Sequence, residues 1–224
     1  MALEEKADAA IVLSNRISQN GSLFPTGIEQ KDTFLAESIN ETRARTESGL
    51  FLVYNGKADS LILSGGYADK TAPWTHAIAM AFHTRKLMYS ETDPVPTTLE
   101  WFSLDSVSQL IFTKELIVKP KNMADLKIIS HDYHVERIKT ITEFVYGKDF
   151  KIEILGLETT PENRKMREGS ERKSIETFKE TFRGIAPAND EDIVSALYER
   201  HGLFIGKPRI DYPRPEECSL MNFL

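Results

Sequence analysis

The sequence has almost no cysteine: Cys218 is the single thiol in 224 residues. One cysteine cannot form an internal disulfide or build a cysteine-based zinc cluster, so scaffolds of both kinds are excluded. Glu216 and Glu217 directly precede Cys218, and neighbouring carboxylates disfavour the thiolate that makes a cysteine reactive. We therefore expect Cys218 to be chemically inert.

Long apolar runs are also missing. No stretch approaches the roughly 20 consecutive apolar residues that a membrane helix needs. The N-terminal residues Met-Ala-Leu-Glu-Glu-Lys lack the basic region and apolar core of a signal peptide. The sequence thus predicts a cytoplasmic protein without a membrane span.

The sequence contains fewer basic than acidic residues. Lys and Arg number 28 against 34 Asp and Glu, which gives a formal net charge of −6. A chain of that sign does not attract nucleic acid or anionic lipid over its whole surface, so any anion site must be local. The hydrophobic fraction of 41% is ordinary for a globular protein, and the length suffices for one sizeable core with an appendage.

Short apolar runs alternate with stretches of helical periodicity, which is the pattern of repeated β-α-β units. The pattern predicts a doubly wound, mainly parallel and Rossmann-like sheet in a three-layer α/β sandwich. We predict one α/β domain over residues 1–160 and a C-terminal helical extension over 161–224, which forms a lid, a second small lobe or a homodimer contact. The predicted strands are residues 9–13, 60–63, 98–102, 126–129 and 152–157.

Polar residues follow four of the predicted strands. Helix capping explains part of this, because Ser and Asp are favoured at helix N-termini. Ligands of such sheets, however, bind at the carboxyl ends of the strands, and the concentration of polar groups at one edge favours a site there. The residues concerned are Ser14, Asn15 and Arg16, then Ser64, Gly65 and Gly66, then Ser103, Asp105 and Ser106, and finally Ser130, His131, Asp132 and His134.

The Ser64-Gly65-Gly66 step has two interpretations. It is either a plain turn or a place where the backbone approaches an anion with free N–H groups. It is neither a complete dinucleotide-binding fingerprint nor a phosphate-binding loop with a Gly-Lys-Ser/Thr ending.

The segment around His134 combines several titratable side chains. His131 and His134 can act as cap and surface residues, and their spacing of three also allows a shared metal. No second cluster with ligand spacing appears, so we predict no metal site. His134 and Arg137 lie one turn apart at a predicted helix N-terminus, where the helix dipole favours an anion.

These residues resemble the motifs of the YdcF-like family, a bacterial group that includes the SanA and ElyC envelope proteins. The similarity covers about residues 8–157. The chain departs from the family pattern at Ser14 in place of Gly, at His76 in place of Glu, and at Ser108 and Gln109 in place of a Glu-Asn pair. Three motifs carry the resemblance: Arg45, Gly49, Leu52, Gly56 and residues 61–66; Glu100, Ser103, Ser106, Ser108 and Gln109; and Ser130, Tyr133, His134 and Arg137.

The resemblance implies a doubly wound α/β fold whose motif residues line one cleft. It also implies S-adenosylmethionine as a candidate ligand and a role linked to envelope metabolism. The SanA- and ElyC-type members carry membrane segments, which this sequence lacks.

Two functional hypotheses follow. The first is an enzyme that hydrolyses or transfers a phosphoryl-type group of a phosphorylated or nucleotide-like small molecule, with His134 as general acid or base and Asp105 or Asp132 orienting it. The second is a non-catalytic metabolite-binding module that uses the same cleft. In a third interpretation the polar strand ends only cap helices and form turns. The predicted ligand-binding residues are Ser14, Asn15, Arg45, Ser64, Gly65, Gly66, Ser103, Ser106, Ser130 and Arg137.

Overall fold

The computed structural model describes residues 5–26, 28–67, 73–88 and 95–209. The prediction for Cys218 lies outside these ranges. Five strands and seven α-helices are formed along the described chain. In chain order they are β1 (Ala7–Leu13), α1 (Ile28–Lys31), α2 (Thr33–Tyr54), β2 (Ala58–Ser64), α3 (His76–Leu87), β3 (Thr97–Glu100), α4 (Ser106–Thr113), β4 (Asp125–His131), α5 (Val135–Tyr146), β5 (Lys151–Leu157), α6 (Pro161–Thr181) and α7 (Asp190–Arg200).

The five strands form one sheet in the order β3-β2-β1-β4-β5, and every neighbouring pair is parallel. The chain builds outward from β1 to β3 and then crosses to the other side of β1, so the direction of winding reverses between β1 and β4. The predicted doubly wound, Rossmann-like α/β fold is confirmed. In such a sheet, the crevice outside the carboxyl ends of β1 and β4 is the expected place for a ligand.

Strand β1 separates two apolar cores. Ala10 and Val12 pack into the core that contains α2 and α3, whereas Ile11 and Leu13 pack into the one that contains α4 and α5. All four residues are completely buried, as expected for the central strand of a parallel sheet with helices on both faces. The two cores give the sandwich its three layers.

Helix α2 lies unusually close to the sheet because of Gly49. A Cβ atom at this position would lie 2.5 Å from Val12 Cγ2 and 2.9 Å from Leu61 Cδ1. The missing side chain therefore lets the helix backbone approach β1 and β2.

Helix α4 begins later than the sequence suggested. We predicted a start at Ser103, but the helix begins at Ser106 because Asp105 is its N-cap. The Asp105 carboxylate accepts a hydrogen bond from the Ser108 amide at 3.0 Å, and the Ser108 hydroxyl accepts one from the Asp105 amide at 3.1 Å. This reciprocal capping box fixes the helix start and leaves residues 103–105 as a loop.

Helix α6 crosses the carboxyl edge of the sheet. Near its N-terminus, Asn163 donates to Glu41 of α2 at 2.8 Å, and near its C-terminus Phe178 packs against Phe144 of α5. Because α2 and α5 lie on opposite faces, α6 joins the two helical layers. The charged segment 161–174, predicted as a solvated helix or linker, contains buried residues at Asn163 and Arg167, so the prediction of a fully solvated segment is wrong there.

The C-terminal elements share the larger core. Leu197 of α7 and Phe204 are buried together with Phe112 of α4. Thr160 is the N-cap of α6, and the predicted domain boundary at residue 160 stays a prediction. In the part of the chain that the structure describes, no helix is both long enough and apolar enough to cross a membrane.

Candidate functional site

A cleft of about 640 Å³ opens at the carboxyl ends of the strands. Its floor comes from the segments that follow β1, β2 and β3, and its walls come from α4, α5 and α6. Seven of the predicted site residues line it: Ser14, Asn15, Gly66, Ser103, Asp105, Ser106 and Arg137. The polar strand ends therefore converge on one cleft, and their role in ligand binding stays a prediction.

One wall of the cleft was missed. Ser170, Lys173, Ser174 and Thr177 of α6 all line it, and their spacing of three and four residues places them on one helical face. That polar stripe is visible in the sequence, but nothing local shows that α6 returns over the sheet. The predicted extension thus contributes directly to the site.

Three cationic side chains line the cleft: Arg16, Arg137 and Lys173. Two of them were not among the predicted binding residues. The carboxylates nearby are paired, since Asp105 lies 3.1 Å from His201 Nε2 and Glu171 lies 3.0 Å from Arg137 Nε. Counted together, Arg16, Arg137 and Lys173 outnumber Asp105 and Glu171 by one positive charge, in a chain that is acidic as a whole.

Five predicted residues form a layer behind the cleft instead of lining it: Arg45, Ser64, Gly65, Ser130 and His134. Ser64 is an example, because its hydroxyl is used in a hydrogen bond to the buried Glu100 carboxylate at 2.6 Å. These five residues influence the cleft indirectly, by holding in place the residues that line it.

The glycine pair does not present free amides to a ligand. Gly65 N–H donates to the Glu100 carbonyl at 2.8 Å, and Gly66 N–H donates to the Ser103 carbonyl at 2.9 Å. A Cβ atom on Gly66 would lie 2.1 Å from that same Ser103 oxygen. The predicted anion-binding amides are therefore corrected: the amides of both glycines are used within the fold, and Gly66 allows the close approach of the β2 and β3 ends.

His134 is buried and holds Arg137 in place. Its Nε2 lies 2.5 Å from Arg137 Nη2, and its Nδ1 lies 2.8 Å from Ser130 Oγ. Burial, followed by the charge of Arg137, lowers the pKa of His134 well below its ordinary value. The imidazole is thus neutral: Nε2 accepts from Arg137 while Nδ1–H donates to Ser130.

Neither acid that was predicted to orient His134 contacts it. Asp105 caps α4 and pairs with His201, while Asp132 pairs with Arg164 of α6. The predicted acid–base pair of His134 and Asp105 is therefore not assembled, and His134 is a positioning residue for Arg137.

Arg45 is buried behind the end of β1, where each of its three nitrogens has a partner. Nη1 donates to the Leu13 carbonyl at 3.0 Å, Nε donates to His131 Nδ1 at 2.8 Å, and Nη2 donates to the Tyr133 hydroxyl at 3.3 Å. With 1% of its surface exposed, Arg45 joins β1 to the segment after β4. Its predicted direct contact with an anion is not supported by this position.

The loop after β1 is fixed by two residues of α2 that sequence reasoning missed. Glu41 accepts from Asn15 Nδ2 at 2.7 Å, and the Thr42 hydroxyl accepts from the backbone amides of Asn15 and Arg16 at 2.9 and 2.8 Å. Burial raises the pKa of Glu41, but Arg167, Tyr133 and Arg45 overcome this and hold it below its ordinary value. The sequence feature that could have revealed Glu41 and Thr42 is a polar stripe at helical spacing inside α2, formed by Ser38, Glu41, Thr42 and Arg45.

His131 should make the protein less stable in mild acid. Burial, followed by the charge of Arg45, lowers the pKa of His131 from 6.5 to about 4. Between these values the unfolded chain binds the proton and the folded chain does not, so stability present above pH 6.5 is lost as the pH falls towards 4. We expect His131 to reduce the free energy of unfolding by about 2 kcal/mol between pH 7 and pH 5.

Urea unfolding at the two pH values checks this expectation. His131→Asn keeps an acceptor for Arg45 but cannot bind a proton, so it should remove this part of the pH dependence. Titrating groups away from His131 are common to both chains and cancel in the comparison. An equal loss of stability in the wild-type chain and in His131→Asn would contradict the assignment.

Within the described ranges, no three His, Cys, Asp or Glu side chains come together as a metal-binding group. A scan against protein-family models finds no match for the chain, and searches of the curated proteins and of the solved structures find none either. The resemblance to the YdcF-like family therefore stays a prediction.

Proposed function

We propose that the chain binds a phosphorylated or nucleotide-like small molecule in the cleft at the carboxyl ends of the strands. The observation that carries the proposal is the convergence of Arg16, Arg137 and Lys173 on one cleft in a chain of net charge −6. Cationic side chains that donate hydrogen bonds to phosphate oxygens make some of the stronger polar contacts in proteins.

Neutral donors support the same ligand. The cleft is also lined by the hydroxyl-bearing side chains of Ser103, Ser106 and Thr177. Hydroxyls can donate to phosphate oxygens and accept from the hydroxyls of a sugar. The volume of about 640 Å³ also lies within the range of roughly 300–1,000 Å³ found for small-molecule pockets.

Gln109 offers a further contact. Its Oε1 is buried and accepts no hydrogen bond from the described residues, and the side chain lines the cleft. A buried amide oxygen without a donor is costly, and a ligand hydroxyl or amine can satisfy it. This favours a phosphorylated molecule with further polar groups, such as a nucleotide, over inorganic phosphate alone.

S-adenosylmethionine fits the cleft less well than a phosphate compound does. Its sulfonium and ammonium cations outnumber its single carboxylate, so Arg16, Arg137 and Lys173 would on balance repel it. It remains the ligand implied by the family resemblance, and it is therefore the natural competitor in a binding test.

Replacing Arg137 should weaken the binding of a phosphate compound. A hydrogen bond to a charged group contributes about 1.5–3 kcal/mol, so Arg137→Met should reduce affinity at least about tenfold. Isothermal titration calorimetry with AMP, ADP, inorganic phosphate and S-adenosylmethionine gives the affinities. Arg172→Met is the matched control, because Arg172 is exposed on α6 outside the cleft, and we expect it to bind as the wild-type chain does.

Lys173→Met provides an independent check, because Lys173 is exposed and its replacement does not disturb buried contacts. It should weaken binding in the same direction. The proposal would be overturned if no phosphate compound binds, or if both cleft variants bind as tightly as Arg172→Met. A preference for S-adenosylmethionine over every phosphate compound would also overturn it.

The position of His134 bears on catalysis. A neutral imidazole with 4% of its surface exposed, occupied by Ser130 and Arg137, is not placed to exchange protons with a ligand in the cleft. The burial of His134 therefore favours a second candidate function, that of a module that binds the metabolite without transforming it. An enzyme would need another acid–base group.

A further inference from the structure

We propose that Ser14 is a nucleophile and His76 its general base, and that the pair transfers the phosphoryl group of a phosphate ester bound in the cleft. The inference rests on the proposed function, because the ester would be held by the cationic walls described above. Neither residue was predicted to have this role from the sequence.

The Ser14 and His76 side chains meet at the carboxyl ends of neighbouring strands. Ser14 follows β1, and His76 is the first residue of α3, which follows β2. Ser14 Oγ lies 3.0 Å from His76 Nδ1, and both residues line the cleft. A hydroxyl within hydrogen-bond reach of an imidazole is the arrangement in which a weak nucleophile is activated.

Gln109 determines the direction of the proton. Its Nε2 faces the backbone carbonyls of Ser64 at 3.1 Å and of Ser14 at 3.3 Å, so the nitrogen, which donates, must occupy this side of the amide. The same Nε2 donates to Ser14 Oγ at 2.8 Å. The proton of Ser14 is therefore directed at His76 Nδ1, which accepts it.

This arrangement prepares Ser14 for attack. The neutral imidazole carries its proton on Nε2, because Nδ1 is the acceptor. The Gln109 donor remains on Ser14 Oγ while the hydroxyl loses its proton, and it stabilises the negative charge that develops there.

Gly65 provides the space for the pair. A Cβ atom on Gly65 would lie 2.0 Å from Ser14 Oγ and 2.8 Å from His76 Cβ. Any larger residue at this position would displace both members. The glycine after β2 thus keeps the hydroxyl and the imidazole within contact distance.

The chemistry balances with water as the only co-reactant. Ser14 Oγ forms a bond to phosphorus, the bond from phosphorus to the ester oxygen breaks, and the proton of Ser14 passes through His76 to the leaving alkoxide. Water then attacks the phosphoserine, His76 takes a proton from the water, and Ser14 regains its hydroxyl. The products are an alcohol and inorganic phosphate.

A fluorophosphonate probe tests the nucleophile without knowledge of the natural ester. Attack by Ser14 forms an oxygen–phosphorus bond and expels fluoride, which leaves a stable adduct that peptide mass spectrometry can locate. We expect an adduct on Ser14, its loss in Ser14→Ala, and labelling at least about a hundredfold slower in His76→Asn, in line with the usual contribution of a general base. Ser48→Ala, on α2 outside the cleft, should label at the wild-type rate.

Calorimetry with AMP on the same samples separates this inference from the proposed function. Wild-type chain that binds AMP but takes no adduct on Ser14 would overturn the nucleophile and leave the binding proposal standing. Unchanged labelling in His76→Asn that binds AMP normally would overturn the role of His76. Labelling of Ser14 in a chain that binds no phosphate compound would overturn the assignment to phosphate esters.

Discussion

Replacing Arg45 with methionine is expected to lower the free energy of unfolding by about 3–5 kcal/mol, the usual cost of removing one partner from a buried charged network. The guanidinium supplies three hydrogen bonds, to Leu13 O, His131 Nδ1 and Tyr133 Oη. Methionine has a similar volume and donates none of them, so buried acceptors are left without donors. Glu41 would also lose a positive charge that helps to keep it ionised.

Urea denaturation at pH 7 measures this loss. The matched control is Arg43→Met, two residues earlier in α2, where the half-buried arginine lies 4.0 Å from Glu47 and 4.9 Å from the centre of the Phe24 ring. An ion pair and a cation–π contact of this kind each contribute about 0–1 kcal/mol, so Arg43→Met should cost well under the loss expected for Arg45→Met. Equal destabilisation by the two substitutions would show that Arg45 does not join β1 to the segment after β4 as described.

Replacing Gly66 with alanine should destabilise the fold by about 3 kcal/mol, at the upper end of the usual cost of overpacking. The new Cβ would lie 2.1 Å from Ser103 O and 2.7 Å from Trp101 O. Both obstacles are backbone atoms, so no side-chain rotation relieves the clash. The ends of β2 and β3 would have to separate, and the cleft floor would change shape with them.

Gly169→Ala is the control for this substitution. Gly169 lies inside α6 with no atom within 4 Å of an added Cβ, and alanine in an exposed helix is favoured over glycine by about 1 kcal/mol. The two Gly→Ala changes should therefore shift the melting temperature in opposite directions. A Gly66→Ala chain as stable as the wild type would contradict the close approach of the two strand ends.

Much of the fold could be read from the sequence, because the alternation of short apolar runs and helical periodicity is a local signal. The candidate site could be predicted from the sequence only in part. Ser14, Asn15, Ser103 and Ser106 follow strands, and parallel strands end at a common edge. Arg45 and His134 were also recognised as important, but the sequence alone could not show that both are buried behind the cleft.

The remaining errors concern contacts between distant segments. The roles of Gly65 and Gly66 depend on Glu100 and Ser103, which reach them only through the pairing of β2 with β3. The activation of Ser14 depends on His76, which is 62 residues away. Hydrophobic periodicity reports which face of an element is buried, and it does not report which element covers that face.

The course of α6 has a consequence for the order of folding. Its hydrogen bonds to α2 join residues 122 and 129 positions apart in the chain, and contacts between such distant positions carry a large loop-closure entropy and form slowly. The surface that receives α6 exists only once β4 lies beside β1, because Tyr133 and Glu41 then come together. The wall that α6 gives to the cleft is therefore expected to be the last part to assemble, so ligand-binding competence should appear after the sheet has formed.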